Sequence, residues 1–521
     1  MALYRAVATV GAMTSLSRVL GFVRDILIAA VLGAGPVADA FFVAFRIPNM
    51  FRRFFAEGAF DSAFIPLFTT RLHGHGEDAA RSFAEEALAG LTLILVVFTL
   101  LAELLMPWIM LVLAPGFVSD PAKFDLTVML ARIAMPYLVS MSLVALYTGV
   151  LNAYRRFAIA AFAPTLLNVV LIAVLIALIV LGYGADSTAG MALAWGIALA
   201  GILQVILVAA AATRIKMRLK LSRPRLTPDM RLLFARAIPG IIAGGIAQLT
   251  MVIATIIATL QDRVVSWLYY ADRIFQLPLG VIGVAIGVVL LPDLSHKLRA
   301  GDHEAAVATK NRAIAFALLL TVPAAVALFI ASGPIVRVLF ERGAFTAIDA
   351  SATAQLLSAF ALGLPAFVLI KVFQAGFFAR EDTKTPMRYA VVSMAASVVA
   401  SLVLFTFIGA VGIAIAAALS GWLNVVLLAL GLKERGALVA DPPLRRALAG
   451  IAAASVLMGL TVWGLTSFLA PWFAPEAGLL AQVAALGLLV AAGLGIYALA
   501  AELFGAMKIK SLLAALGKDA G

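Results

Sequence analysis

The chain has 521 residues, of which 64% are hydrophobic and only 13% charged, with a mean hydropathy of +1.08. That balance excludes a single water-soluble core of ordinary proportions and defines an all-α polytopic membrane protein. The absence of cysteine excludes disulfides and a cysteine-containing zinc site, and the four histidines (His73, His75, His296, His303) fall in polar stretches, which leaves no histidine centre within the membrane.

At roughly 20 apolar residues per crossing, the chain reads as about fourteen transmembrane helices. Their expected spans are 7–33, 37–69, 82–107, 125–153, 161–182, 187–212, 232–260, 264–295, 313–332, 350–378, 387–407, 410–431, 447–469 and 479–505. The first is read as a retained helix and not a signal peptide, because Arg18 and Arg24 interrupt its apolar run and no clean small-residue cleavage site follows. The first, second and eighth carry the expected bending points: Gly21 and Gly33, Pro48, and Gly280, Gly283 and Gly287.

With both termini placed in the cytoplasm, the inner loops hold most of the basic residues, including the cluster "TRIKMRLKLSRPRLTPDMR". The outer loops then hold only Lys123, Arg263, Arg337 and Arg342. This asymmetry supports an even helix count, and it explains most of the net charge of +12 without a nucleic-acid partner.

Arg18, Arg24, Arg46, Arg52, Arg53, Arg132, Arg236, Arg273 and Lys371 remain within or at the ends of spans. A charge at mid-bilayer costs about 2.5–3.5 kcal/mol on insertion scales, so a set of lipid-facing arginines is untenable and a wet cavity is expected. On the second helix Asp39, Arg46, Arg53 and Glu57 fall within about 40° of one another and Asn49 within about 80°, which makes one polar stripe. Pairing of Arg53 with Glu57 at i,i+4 is the structural alternative for part of it.

Internal repetition is also legible. "AFIPLF" (63–68) returns as "VLLPDL" (289–294), and "VAFRIP" (43–48) as "YADRIF" (270–275), at a common offset of about 226–227 residues. The expected organisation is two six-helix lobes in the same orientation, residues 1–225 and 226–435, followed by two further helices and a cytoplasmic tail over 436–521. Arg273 then corresponds to Arg46.

The segments "SRVLGFVRDILIAAVLGAGPVADAFFVAFRIPNMFRRFFAEGAFDSAFIP" (17–66), "LNAYRRFAIAAFAPTLLN" (151–168) and "WLYYADRIFQLPLGVIGVAIGVVLLP" (267–292) resemble the MurJ (MviN) family of lipid II flippases, within the superfamily that includes multidrug and polysaccharide-precursor exporters. The resemblance spans essentially the whole chain. It implies transport of an undecaprenyl-pyrophosphate-linked peptidoglycan precursor from the cytoplasmic to the periplasmic leaflet of the bacterial inner membrane. It further implies a central cationic cavity lined by Arg18, Arg24, Arg52 and Arg273, with Asp25 and Asp39 beside them. At Arg46 relatives carry lysine, and at Gln276 some carry an acid.

The residues agree with such a substrate, since guanidinium forks bind phosphate oxygens through paired, charge-assisted hydrogen bonds. The expected substrate-binding set is therefore Arg18, Arg24, Asp25, Asp39, Arg46, Asn49, Arg52, Arg53, Glu57 and Arg273, with the acids orienting the arginines and Asn49 and Ser17 meeting sugar or peptide. The charge-free stretches of the last two helices offer an apolar groove for a polyprenyl tail. No enzyme, cofactor or metal site is expected, and no Walker A pattern is present. The driving force is left between the membrane potential and a monovalent cation. Lipid II and membrane lipids are the expected partners, with function as a monomer and association with cell-wall synthesis proteins. The alternative reading is an exporter of another polyprenyl-linked oligosaccharide or a multidrug antiporter, although an antiporter for cations would need acids to dominate where bases do.

Overall fold

The computed structural model describes residues 2–56 and 59–507, with the side chains of 2–8, 51–56, 59, 61, 239–249 and 284–289 outside the description. The described residues form twenty α-helices, three short 3₁₀ helices and no strand. In order, these helices begin with α1 (Ala2–Leu32), α2 (Pro36–Ala56), α3 (Ala59–His75), α4 (Glu77–Leu104) and α5 (Met106–Leu113). Next come α6 (Pro121–Ala134), α7 (Tyr137–Ala153), α8 (Phe157–Phe162), α9 (Thr165–Val180) and α10 (Ser187–Arg214). Beyond the basic connection lie α11 (Pro228–Ala258), α12 (Val264–Arg299), α13 (His303–Ile330), α14 (Ser332–Phe340), α15 (Ala347–Ala361) and α16 (Leu364–Phe378). The last four are α17 (Lys384–Ile408), α18 (Ala410–Glu434), α19 (Pro442–Phe468) and α20 (Gly478–Leu503).

Every expected span coincides with helix, but several are divided. The spans 125–153, 161–182 and 350–378 break next to Pro136, Pro164 and Pro365, where the missing N–H and the ring's clash with the preceding turn interrupt the helical ladder. Pro48 behaves differently: α2 runs through it without a break. Gly33 is not a bend within α1 but its terminator, in the left-handed conformation at φ +64°. Among the described residues, ten helical stretches are long and apolar enough to cross a membrane. The remaining expected spans, at α1, α2 with α3, α11 and α12, are the ones that carry Arg18, Arg24, Arg46, Arg236 and Arg273.

The chain divides into two compact units. The first comprises residues 1–266 and 342–346, the second 267–341 and 347–521. In the first, α2 packs on α6 and α7, α1 on α8 and α9, and α3 on α4, α7 and α11. Close approach depends on small residues: a Cβ at Gly149 would lie 2.9 Å from the Phe64 ring, and one at Gly201 2.8 Å from Ser140 Cβ. Phe64 also stacks on Phe60, Phe68 and Phe83 with ring centroids 5.2, 5.6 and 5.6 Å away. In the second unit α13 packs on α16 and α19, α17 on α18, and α19 on α20. There Tyr497 Oη donates to the Leu319 carbonyl over 2.7 Å. Large apolar side chains such as Leu100, Leu104, Val399 and Phe407 are exposed, as hydrocarbon in place of water requires.

The segment Arg342–Thr346 is held to the end of α1. Ala344 N donates to Ala30 O over 2.8 Å, and a Cβ on Gly33 would meet the Ala344 carbonyl oxygen at 2.3 Å. Gly33→Ala is therefore expected to lower the thermal unfolding midpoint of purified protein, with at least the left-handed penalty of about 1–2 kcal/mol. Gly35→Ala, where a Cβ has nothing within 4 Å, serves as the silent control.

Candidate functional site

Arg24 is buried on α1 at 7% exposure, beside an Asp25 that is fully buried. Neighbours in sequence do not ordinarily face each other on a helix. Here the guanidinium bends back so that Nε and Nη2 donate to Asp25 Oδ1 over 3.0 and 2.7 Å, and Nη1 donates to Asn168 Oδ1 on α9 over 2.9 Å. Asn168 Nδ2 in turn donates to the Ser17 carbonyl over 2.9 Å, so the amide's orientation and the arginine's position fix each other. A guanidinium out of bulk water must find such partners.

Asp39 lies in the first turn of α2 and is also fully buried. Its Oδ1 accepts from Ser266 N over 3.0 Å and from Ser266 Oγ over 2.6 Å. Its Oδ2 accepts from Lys123 Nζ and from Arg263 N, both over 2.9 Å. The carboxylate thereby caps the start of α12 from outside that helix, satisfying N–H groups that have no partner in their own ladder and meeting the positive ends of two helix dipoles. Lys123 completes the arrangement. Its ammonium bridges Asp39 to Asp262 Oδ1 at 3.0 Å and lies 4.1 Å over the Phe117 ring. At 3% exposure this lysine is not the solvated outer-loop residue that the charge pattern predicts. Two carboxylates, one in the first turn of α2 and one in the turn before α12, hold it inside.

The polar stripe expected to face water together is thus divided. Asp39 is committed to a lysine and to backbone N–H groups, and Arg24 is buried with Asp25; Arg18 is exposed, and Arg46 and Asn49 are half-buried. Arg46 Nη2 donates to Thr255 Oγ1 on α11 over 2.6 Å. The side chains of Arg52 and Arg53, and Glu57 altogether, lie outside the described residues, as does the expected Arg53–Glu57 pair. In the second unit Arg273 is half-buried on α12, and one turn from it Gln276 donates to Asp272. An acid therefore stands beside the arginine although position 276 carries none.

Two residues escaped the sequence reading. Asn168 closes the motif "LNAYRRFAIAAFAPTLLN", and a polar amide opening an otherwise apolar helix was its signal. Lys123 gave none, because a lysine four residues from a chain turn reads as solvated. Of the two C-terminal helices expected to offer an apolar groove, α19 borders a cavity and α20 does not. A cavity of ≈ 420 Å³ lies between α13 and α19, lined by Val322, Val326, Ile330, Ser455, Gly459 and Trp463 among others. Ser455 is the polar residue of that lining, with its hydroxyl oxygen buried. α20 packs against α19 and α14 and lines none of it.

The fold is shared with solved transporters. It resembles a structure described as lipid II flippase MurJ in an inward closed conformation, at a TM-score of 0.76 and 22% identity over 95% of this chain and 98% of that one. It also resembles an inward-facing multidrug resistance MATE family transporter of the MOP superfamily, at a TM-score of 0.63 and 14% identity over 82% and 97%. The class is accordingly a polytopic α-helical bundle of that fold. The profile of the family described as lipid II flippase MurJ matches residues 28–481. Relatives named probable lipid II flippase MurJ are 45% identical in Rhizobium tropici, over 98% of this chain and 96% of the relative, and 46% identical in Rhizobium meliloti, over 95% and 93%. The chain belongs to the lipid II flippase MurJ family.

Removing one member of the Asp39–Lys123 pair leaves the other buried without its opposite charge at 2.9 Å. Asp39→Ala is expected to destabilise the protein by about 3–5 kcal/mol, and the Asp39→Ala, Lys123→Met double variant by markedly less than the sum of the single effects. Thermal unfolding of the four proteins in detergent measures the coupling. Strict additivity would show the pair to be energetically idle.

Proposed function

We propose that this protein carries lipid II across the inner membrane, from the cytoplasmic to the periplasmic leaflet, by alternating access, and is not an enzyme. What supports this most is the family match over residues 28–481, together with relatives aligned over nearly the whole chain. The finer reading has fourteen spans: two six-helix lobes within 1–225 and 226–435, and a C-terminal pair within 436–521, with both termini cytoplasmic and the protein acting as a monomer.

In this reading Arg18, Arg24, Arg46, Arg52, Arg53 and Arg273 belong to one cationic cavity that receives the pyrophosphate. A bound dianion offsets the repulsion among these arginines, so substrate favours the state in which their charges lie nearest one another. Asp25 and Asn168 keep the Arg24 fork presented in one orientation. Asp39 acts at a distance from substrate through the start of α12. Asn49 remains assigned to the sugar or peptide of the headgroup, and Glu57 to orienting the neighbouring arginines. The lining of the cavity between α13 and α19 suits the polyprenyl tail.

In cells depleted of this protein and lacking any other flippase, the wild-type chain is expected to restore periplasmic exposure of lipid II. Arg24→Ala and Arg273→Ala are expected to reduce it by about ten- to hundredfold, the equivalent of a lost charge-assisted hydrogen bond of about 1.5–3 kcal/mol. Normal exposure in depleted cells would refute transport, and full activity of both variants would refute the cavity. Filling the α13–α19 cavity with Ser455→Phe is expected to slow transport of the long-chain substrate more than that of a short-prenyl analogue. Equal slowing of both would remove the tail from this groove.

A further inference from the structure

Lys310, on α13 in the second unit, is 2% exposed and ranks among the largest fully buried side chains. No hydrogen bond or ion pair to its ammonium occurs among the described residues. Its stem crosses α16 at Gly376, where an added Cβ would lie 4.0 Å from Lys310 Cδ. Gly376 is also where Arg380 arrives, with Nη1 donating to the Gly376 carbonyl over 2.7 Å at the end of the same helix. A third cation comes from the end of α18: Arg435 lies 4.8 Å over the Phe377 ring, and its Nη1 donates to Gly431 O over 3.0 Å.

The bonds to Gly376 and Gly431 are ordinary helix C-terminal contacts, and they account for one nitrogen of each arginine. Among the described residues the one carboxylate bonded to the trio is Asp382, which accepts from Arg435 Nη2 over 2.8 Å and caps Thr385 N over 3.0 Å. Burial, and then the charge of Arg435, push the Arg380 guanidinium pKa down. Three cations, one on α13 and two just past the ends of α16 and α18, thus converge against one acid among the described residues, and among those residues the least exposed cation has no bonded partner. Buried charges left in that state are ordinarily matched by a counter-ion.

We propose that Lys310, Arg380 and Arg435 form a site for a single phosphate group, supplied either by the headgroup of an anionic phospholipid or by soluble phosphate. Its residues are separate from those assigned to the transported substrate. Arg380 offers its Nη2 and Nε to a tetrahedral oxyanion, Arg435, whose Nη1 and Nη2 bond Gly431, Asp382 and Thr385, adds charge at the rim, and the lysine contributes a point charge at the base. Exposure rises from Lys310 at 2% to the Arg435 side chain at 38%, which leaves the arginine edge open to an arriving headgroup.

The test uses the full chain in phosphatidylcholine nanodiscs, titrated separately with phosphatidylglycerol and with inorganic phosphate. The readouts are the thermal midpoint and retained lipid by native mass spectrometry. Lys310→Met, Arg380→Gln and Arg435→Gln are compared with wild type, the last lying at the exposed edge where the fold tolerates it. The wild type is expected to gain thermal stability with at least one ligand, and each folded variant to need about tenfold more of it for the same gain. A response to phosphatidylglycerol alone assigns a lipid headgroup, and a response to inorganic phosphate assigns the soluble ion. A wild type indifferent to both, or an Arg435→Gln protein responding as wild type does, overturns the site.

Discussion

An ionised side chain taken out of water must be met by opposite charge or by aimed hydrogen-bond donors and acceptors, and this constraint organises the first unit. Asp39 meets it fully: each carboxylate oxygen accepts two hydrogen bonds, and the donors come from α6, from the turn before α12 and from α12's own first residues. Arg24 joins α1 to α9 under the same rule, Arg46 joins α2 to α11, and Arg71 joins α3 to Asp229 on α11. Where lipid weakens the hydrophobic drive for helix association, such polar ties and close small-residue contacts decide which helices pair.

The ten apolar helical stretches among the described residues were legible, because hydrocarbon thickness imposes a length on any apolar run that crosses it. Their interruptions were harder to foresee. Pro136, Pro164 and Pro365 break helices whereas Pro48, Pro278 and Pro323 sit inside continuous ones. Whether a freed carbonyl can be accommodated locally is settled by packing, which composition does not encode. Gly33 carried a signal of flexibility that proved to be one of termination, since only the position of Ala344 shows why a side chain there is excluded.

The charged residues divide in a similar way. Arg24 and Asp39 stand in one long motif, which is why they were expected to share a site, but their immediate partners were not readable from it. Asn168 and Lys123 lie 144 and 84 residues away from the groups they hold, and no local pattern reports a contact of that range. The helical wheel placed Asp39 and Arg46 on one face. It could not show that a lysine from another helix captures the acid first. The substrate assignment therefore rests on family membership across the chain, whereas the local geometry explains how individual side chains are oriented.

The saturation of Asp39 bears on how genetic data from this family should be read. A screen that scores cell survival will register loss at this position as strongly as loss of a ligand contact, although the carboxylate has no lone pair left to offer a cargo. Separating the two requires counting folded protein in the membrane before counting what it moves.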